Sequence, residues 1–203
     1  MHVPDKWQMG SLVTMQSFID SYGFALLISA DLQSSNLPLL LAPNEGEFGV
    51  LYGHFARTNS HWKQIKEQPV LVVFNGPHAY ISPTWYASSP AVPTWNYATV
   101  QVQGNVELTD DAKTADILAA TIAKYEPSLT TDNFIPDSYK DKLSKGIVGF
   151  KLVITAIEGK EKLGQHRSAA DQQGVTSGLE KSGHAEATEL LTYMNSRGVG
   201  LGR

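Results

Sequence analysis

A mainly β chain, with antiparallel strands closing toward a barrel and helices at its flanks, is the fold class this sequence predicts. Three observations support it. Short apolar or alternating runs recur between turn-rich segments, as strands joined by tight connections do. The helical patterns are inserted irregularly, without the strand–helix alternation of a doubly wound sheet. Neither GxGxxG nor GxxxxGK[ST] occurs, so dinucleotide-fingerprint and P-loop readings lose their main support.

In chain order, Thr14 to Tyr22 reads as a short helix. Thr14 can cap it, Met15, Phe18 and Ile19 form an apolar stripe, and Gly23 stops it. FALLISA (24–30) has the length and content of a buried strand. NLPLLLA (36–42) and FGVLYG (48–53) read as a hairpin around the turn-rich PNEGE. Asn59 or Ser60 can cap a helix through Gln68, with Trp62 and Ile65 inward and Pro69 as its stop. VLVVF (70–74), HAYIS (78–82) and NYATVQVQGNVEL (96–108) then read as three strands. The segment 110–126 is the clearest helix, with Ala115, Leu118, Ala119 and Ile122 on one face. A short helix is expected over 137–146 and a long strand over 147–159. Ser168 and Asp171 mark the start of a further helix, 186–194 reads as helical, and the terminal GVGLGR is expected to fray.

The stretch Asn75–Gly104 stands out. It holds two of the four tryptophans, three of the eight tyrosines and four of the ten prolines. Pro83, Pro90 and Pro93 fix φ and bias the residues before them toward extended backbone, so a stiff loop studded with flat rings separates two strands. Long ordered loops on a sheet scaffold more often bind something than merely connect.

Bulk properties narrow the function. The apolar share of 42% suffices for a packed core, and 203 residues suit one domain with or without a terminal extension. The net charge of −4 gives no general affinity for nucleic acid or anionic lipid. Without cysteine there is no disulfide, thiolate nucleophile or cysteine-based zinc site. No apolar run approaches a membrane span, and MHVPDKWQMG lacks a signal-peptide core. A soluble cytoplasmic protein is the expectation.

Three constellations could carry chemistry. GHFARTN (53–59) runs from a strand toward a helix start, where free N–H groups favour an anion. Arg57 adds a planar fork for phosphate, and His54 and Asn59 add donors. The competing reading gives Arg57 a surface carboxylate, makes Asn59 a cap and leaves His54 a satisfied histidine. GKEKLGQHR (159–167) gathers Lys160, Lys162, His166 and Arg167 in an otherwise acidic chain; its alternative is a solvated turn. Trp85, Tyr86, Trp95 and Tyr97 could wall a flat ligand with Asn96 at its edge, or cover a barrel mouth or subunit interface. The histidines show no HxH or HExxH spacing, so no metal site is expected, and no side chain stands out as a catalytic acid, base or nucleophile. An anion grip, a basic cluster and an aromatic wall together suit flavin mononucleotide (FMN).

The runs GHFARTNSHWK (53–63), GPHAYISPTWY (76–86), PTWNY (93–97), GIVGFKL (146–152) and EGKEKLGQHR (158–167) resemble the PaiB-like family. That family is named for a negative transcriptional regulator of protease production and sporulation, and is similar to FMN-binding split β-barrels of the pyridoxamine-phosphate-oxidase and flavin-reductase group. The likeness runs from about Val3 to Leu179. It implies a split-barrel domain over 1–182, followed by a C-terminal helical extension and flexible tail over 183–203. It also implies a homodimer with FMN at the subunit interface. His54, Arg57 and Asn59 then meet the flavin phosphate or ribityl chain, and Pro38 and Leu39 pass the ring edge. Trp95 and Asn96 line the site from the same or the partner subunit, and Lys162, Gln165 and Arg167 complete it. One departure is that KLGQHR stands where the family reads KLSQNR, so Gly164 and His166 replace a serine and an asparagine. Three activities follow as expectations: a flavin-dependent oxidoreductase such as a flavin reductase; a flavin-linked transcriptional regulator, for which DNA is a poorly supported partner; and, more weakly, a haem-binding split barrel.

Overall fold

The computed structural model describes residues 1–66, 68–130, 136, 139 and 143–203. Its strands are β1 (Phe24–Ile28), β2 (Ser34–Pro38), β3 (Leu40–Ala42), β4 (Val50–Ala56), β5 (Pro69–Ile81), β6 (Thr94–Leu108) and β7 (Ile147–Lys162). Its α-helices are α1 (Leu12–Ser21), α2 (His61–Gln64), α3 (Asp111–Tyr125), α4 (Ala169–Lys181) and α5 (Ala185–Arg197). The helix expected over 137–146 lies largely outside the described residues. The strands form one sheet in the order β2-β1-β5-β6-β7-β4-β3, and β1–β2, β1–β5, β3–β4 and β4–β7 are antiparallel. The architecture is mainly β with flanking helices.

Three elements depart from the sequence expectation, each for a local reason. The run 36–42 is two strands, not one arm of a hairpin: β2 pairs with β1, and β3 pairs with β4. The break falls after Pro38, which has no N–H to give. Leu39, fully buried, turns its own N–H to Gly23 O at 2.8 Å. A Cβ on Gly23 would stand 2.9 Å from that Leu39 carbonyl, so this close approach requires glycine. VLVVF and HAYIS are one continuous strand, β5, through Gly76 and Pro77. Among the described residues β1 pairs with Leu71–Val73 of β5 and does not reach Pro77, which as a proline has no N–H to offer a ladder. Finally, α2 is a single turn and does not reach Gln68.

Caps follow the side chains. Asp110 accepts from Lys113 N at 2.7 Å to start α3, and Ser168 accepts from Asp171 N at 3.2 Å to start α4. The terminal glycine-rich segment does not fray. Gly198 closes α5 at φ +66°, Gly202 N donates to Gln172 Oε1, and Gln173 Nε2 donates to Gly202 O.

The chain divides into two compact units. The first comprises 1–11, 75–100 and 158–203, with Met9, Ile81, Val100, Leu163, Leu190 and Met194 in its core. The second comprises 12–74 and 101–157, with Ile19, Leu27, Phe55, Phe74, Phe150 and Leu152 buried. The long strands β5, β6 and β7 contribute residues to both.

Candidate functional site

In the 12–74/101–157 unit, the end of β4 and the turn after it carry His54, Arg57 and Asn59. His54 is half-buried; burial pushes its imidazole below the usual range, and its Nδ1 is buried without a partner. Arg57 pairs with no carboxylate among the described residues. Its Nε donates to Lys145 O and its Nη2 to Ile147 O, both at 2.8 Å, so two of five N–H donors brace the entry to β7. Asn59 Oδ1 accepts from His61 N at 3.1 Å just ahead of α2, whose N-cap, Ser60, makes no side-chain cap bond. Pro38 and Leu39 sit at the break between β2 and β3, with Leu39 buried.

Asn59 also ends a partly buried polar chain that sequence reasoning missed. Asn59 Nδ2 donates to Ser35 Oγ (3.1 Å), which bonds His61 Nδ1 (2.8 Å); His61 Nε2 bonds Ser29 Oγ (2.9 Å), which bonds Asp31 Oδ1. One proton assignment satisfies every member. Ser29 gives its proton to the Asp31 carboxylate and accepts from His61 Nε2–H. Neutral Nδ1 then accepts from Ser35, which accepts from Asn59. Burial lowers the His61 pKa and Asp31 partly opposes that; the Ser29 hydrogen bond holds the Asp31 carboxyl below its ordinary range. The sequence signal was thin, because Ser29, Ser35 and His61 lie on three separate segments.

In the other unit, strand alternation separates two expected neighbours. Asn96 is 3% exposed and Trp95 is 53% exposed, on opposite faces of β6. Trp95 joins His78 (6.1 Å between ring centroids) and Tyr80 (6.2 Å). These three, with Trp85, His184 and Glu186, line a cleft of about 490 Å³. Trp85 is seated on α4 at Gly174 and Gly178, where a Cβ on Gly178 would stand 2.2 Å from its Cδ2. The loop bearing Trp85 is tied to the same helix by Asp171, which accepts from Ser88 N and Ser88 Oγ, both at 2.8 Å. Those bonds hold the Asp171 carboxyl below its ordinary range.

The β7–α4 turn holds the rest. Lys162 Nζ donates to Thr94 Oγ1 (2.6 Å) and Trp95 O (2.9 Å). Gln165 closes the turn itself, accepting from Leu163 N at 2.8 Å and donating to Glu161 O at 2.6 Å. Arg167 lies 4.5 Å over the Tyr86 ring, and its Nε is buried without a partner. Gly164 takes φ +81°, the left-handed region that glycine enters without strain, which accounts for the residue found there. His166 is exposed and edge-on to Trp7, at 5.7 Å. Trp7 was not expected here. Alternation on β7 sends Glu161 the other way, where it accepts from Tyr193 Oη (2.5 Å) and pairs with Arg197 Nε (2.7 Å).

This fold is a split β-barrel of the flavin-binding type. It is shared with the flavocytochrome Anf3 of Azotobacter vinelandii (TM-score 0.62, 17% identity, 79% of this chain and 72% of that one). It is shared also with the FAD and heme binding protein of Mycobacterium smegmatis (TM-score 0.59, 16% identity, 76% and 73%). Residues 1–156 match the family described as "Putative FMN-binding domain", and the chain belongs to that PaiB-like family. It is 29% identical to "Protease synthase and sporulation protein PAI 2" of Bacillus subtilis, over 97% of this chain and 98% of the relative. It is 31% identical to an uncharacterized protein of Emericella nidulans, over 82% of each. Among the described residues no helix is long and apolar enough to cross a membrane, and no group of three or more His, Asp or Glu is placed to hold a metal ion.

Proposed function

We propose that the protein binds FMN non-covalently, as a homodimer, and acts in flavin-dependent redox chemistry of the flavin-reductase kind. The observation that carries this reading is a pair of unpartnered buried nitrogens. His54 Nδ1 and Arg167 Nε both belong to the residues that the family likeness assigns to flavin. A buried donor or acceptor without a partner costs about 1–3 kcal/mol, so an arriving polar ligand offsets a penalty already present. Bound FMN would supply a ring able to carry electrons. The chain's own residues bind and orient it. Arg57, braced at two donors, keeps three N–H groups for an anion. Neutral His54 offers a hydrogen bond without a charge, and Lys162 and Arg167 add positive charge.

Native protein offered excess FMN is expected to retain flavin absorbance and to quench flavin fluorescence; absence of both overturns the reading. A second reading, a flavin-linked transcriptional regulator, rests on the PaiB-like family likeness, whose Bacillus subtilis member is named for protease synthesis and sporulation. Gel-shift assays at low salt test it: sequence-selective retardation is expected, and retardation indifferent to sequence removes it.

A further inference from the structure

Trp7 is the hub of a cationic cluster. Lys6 Nζ lies 4.8 Å from its ring centroid, Lys160 Nζ 5.5 Å and Lys162 Nζ 5.6 Å. Lys160 is also 5.4 Å from the Tyr97 ring and donates to His2 O at 3.0 Å, although its residue is only 8% exposed. His166 meets Trp7 edge-on, and Arg167 follows it in the chain. Among the described residues none of these four permanent cations forms an ion pair with a carboxylate. Their hydrogen bonds go to neutral oxygens, and Glu161 points to the opposite face of β7.

Aromatic faces offset part of the repulsion but contribute no formal negative charge. The titrating neighbours register the excess. Burial lowers the His166 pKa, and Lys6, Arg167 and Lys162 lower it further; burial depresses Lys162, with Tyr97 opposing and Lys160 adding a smaller push in the same direction as burial. The Trp7 indole N–H is itself buried without an acceptor. In a chain of net charge −4, three uncompensated cations gathered on the Trp7 ring and a fourth, Arg167, on the Tyr86 ring, with two unpartnered buried N–H groups among these residues, form an anion site.

We infer that Trp7, Lys6, Lys160, Lys162, His166 and Arg167 form a binding site for an organic diphosphate. A phosphate monoester carries about −1.5 to −2 near neutrality, half of what four cations balance, so a diphosphate matches better than a single phosphate. The inference goes beyond the flavin reading, because Trp7, Lys6 and Lys160 lie outside that residue set and FMN has one phosphate.

Calorimetric titration of the full chain with ADP, inorganic pyrophosphate, AMP and adenosine tests it. ADP and pyrophosphate are expected to bind, AMP at least tenfold more weakly and adenosine not at all, with ADP affinity falling as salt rises. ADP binding tighter than pyrophosphate assigns a nucleotide; equal binding shows that the diphosphate alone is recognised. Trp7→Leu is expected to cost at least tenfold. The double variant Lys6→Gln/Lys162→Gln, which leaves the ring in place, should do the same and decides the matter if Trp7→Leu does not fold. No ADP or pyrophosphate binding at millimolar concentration, AMP binding as well as ADP, or unchanged affinity in the double variant overturns the site. FMN titrated in parallel separates the two ideas: FMN bound without ADP leaves the flavin reading standing alone, and the converse leaves this one.

Discussion

Arg57 shows how one side chain can serve the frame and the ligand together. Its hydrogen bonds to Lys145 O and Ile147 O fix the start of β7. Arg57→Ala is therefore expected to weaken FMN at least tenfold and also to lower the melting temperature. Arg57→Lys cannot reproduce the fork and should recover little of either. Unchanged FMN affinity by fluorescence titration would remove Arg57 from the site. His61 makes a separate prediction about pH. Its folded pKa lies below the unfolded value of about 6.5, so the unfolded chain binds more protons in that window. Stability should accordingly be full above about pH 6.5 and fall as pH drops through the lowered folded pKa. His54 and His166 are shifted in the same direction and add to the slope. Urea midpoints at pH 7.5 and 5.5 measure it, and His61→Gln should flatten the difference. At this scale the sequence displayed Arg57 and Lys162 but not their partners. A main-chain carbonyl has no sequence signature, and Arg57 and Lys145 are far apart in the chain.

Between elements, what alternation can encode was legible and what a break in pairing encodes was not. The strand expected over 147–159 runs on to Lys162 as β7, so GKEK lies on a strand and alternation puts Lys160 and Lys162 on one side and Glu161 on the other. The division of 36–42 between two partners was hidden, because Pro38 interrupts one ladder while apolar residues continue on both sides. The glycines of α4 were visible as GVTSG (174–178), with spacing that places both on one helical face. Their purpose required the fold. Gly178→Ala puts a methyl 2.2 Å from Trp85 and must displace the indole or the helix. About 1–3 kcal/mol of destabilisation is expected from such overpacking, along with a shifted tryptophan emission. An unshifted spectrum and melting curve would mean that Trp85 does not rest there.

The whole chain was most legible in class and least in its end. A mainly β barrel with flanking helices follows from pattern and turns, and the structure has it. The C-terminal glycines read as loose because left-handed glycines and frayed termini look alike in sequence. Here Gly200 stands where a Cβ would be 2.2 Å from Leu163 O, and Gly202 is bonded to Gln172 and Gln173. Glu161, 4% exposed, takes its charge partner Arg197 and the Tyr193 hydroxyl from α5. A chain ended after Ser182 would lose both partners of that carboxylate together with the buried Leu190, Tyr193 and Met194, core side chains worth about 2–5 kcal/mol each. It should unfold well below the full-length melting temperature, and Glu161→Gln in the full chain should show a smaller loss of the same kind. Equal melting curves would make the last helix dispensable.

The alternation of Trp95 and Asn96 on β6 makes that strand a partition with a different chemistry on each side. One side presents an open indole beside His78 and Tyr80, and the other a buried amide near the 162–167 turn. No flat molecule lying on a single side can touch both side chains. A one-residue insertion before Trp95 that shifts the register of β6 would exchange the two surfaces. Single cysteines placed in turn at 95, 96 and 97 of this thiol-free chain would read the partition directly, with rapid labelling at 95 and protection at 96. Adding ligand would then show from which side it arrives.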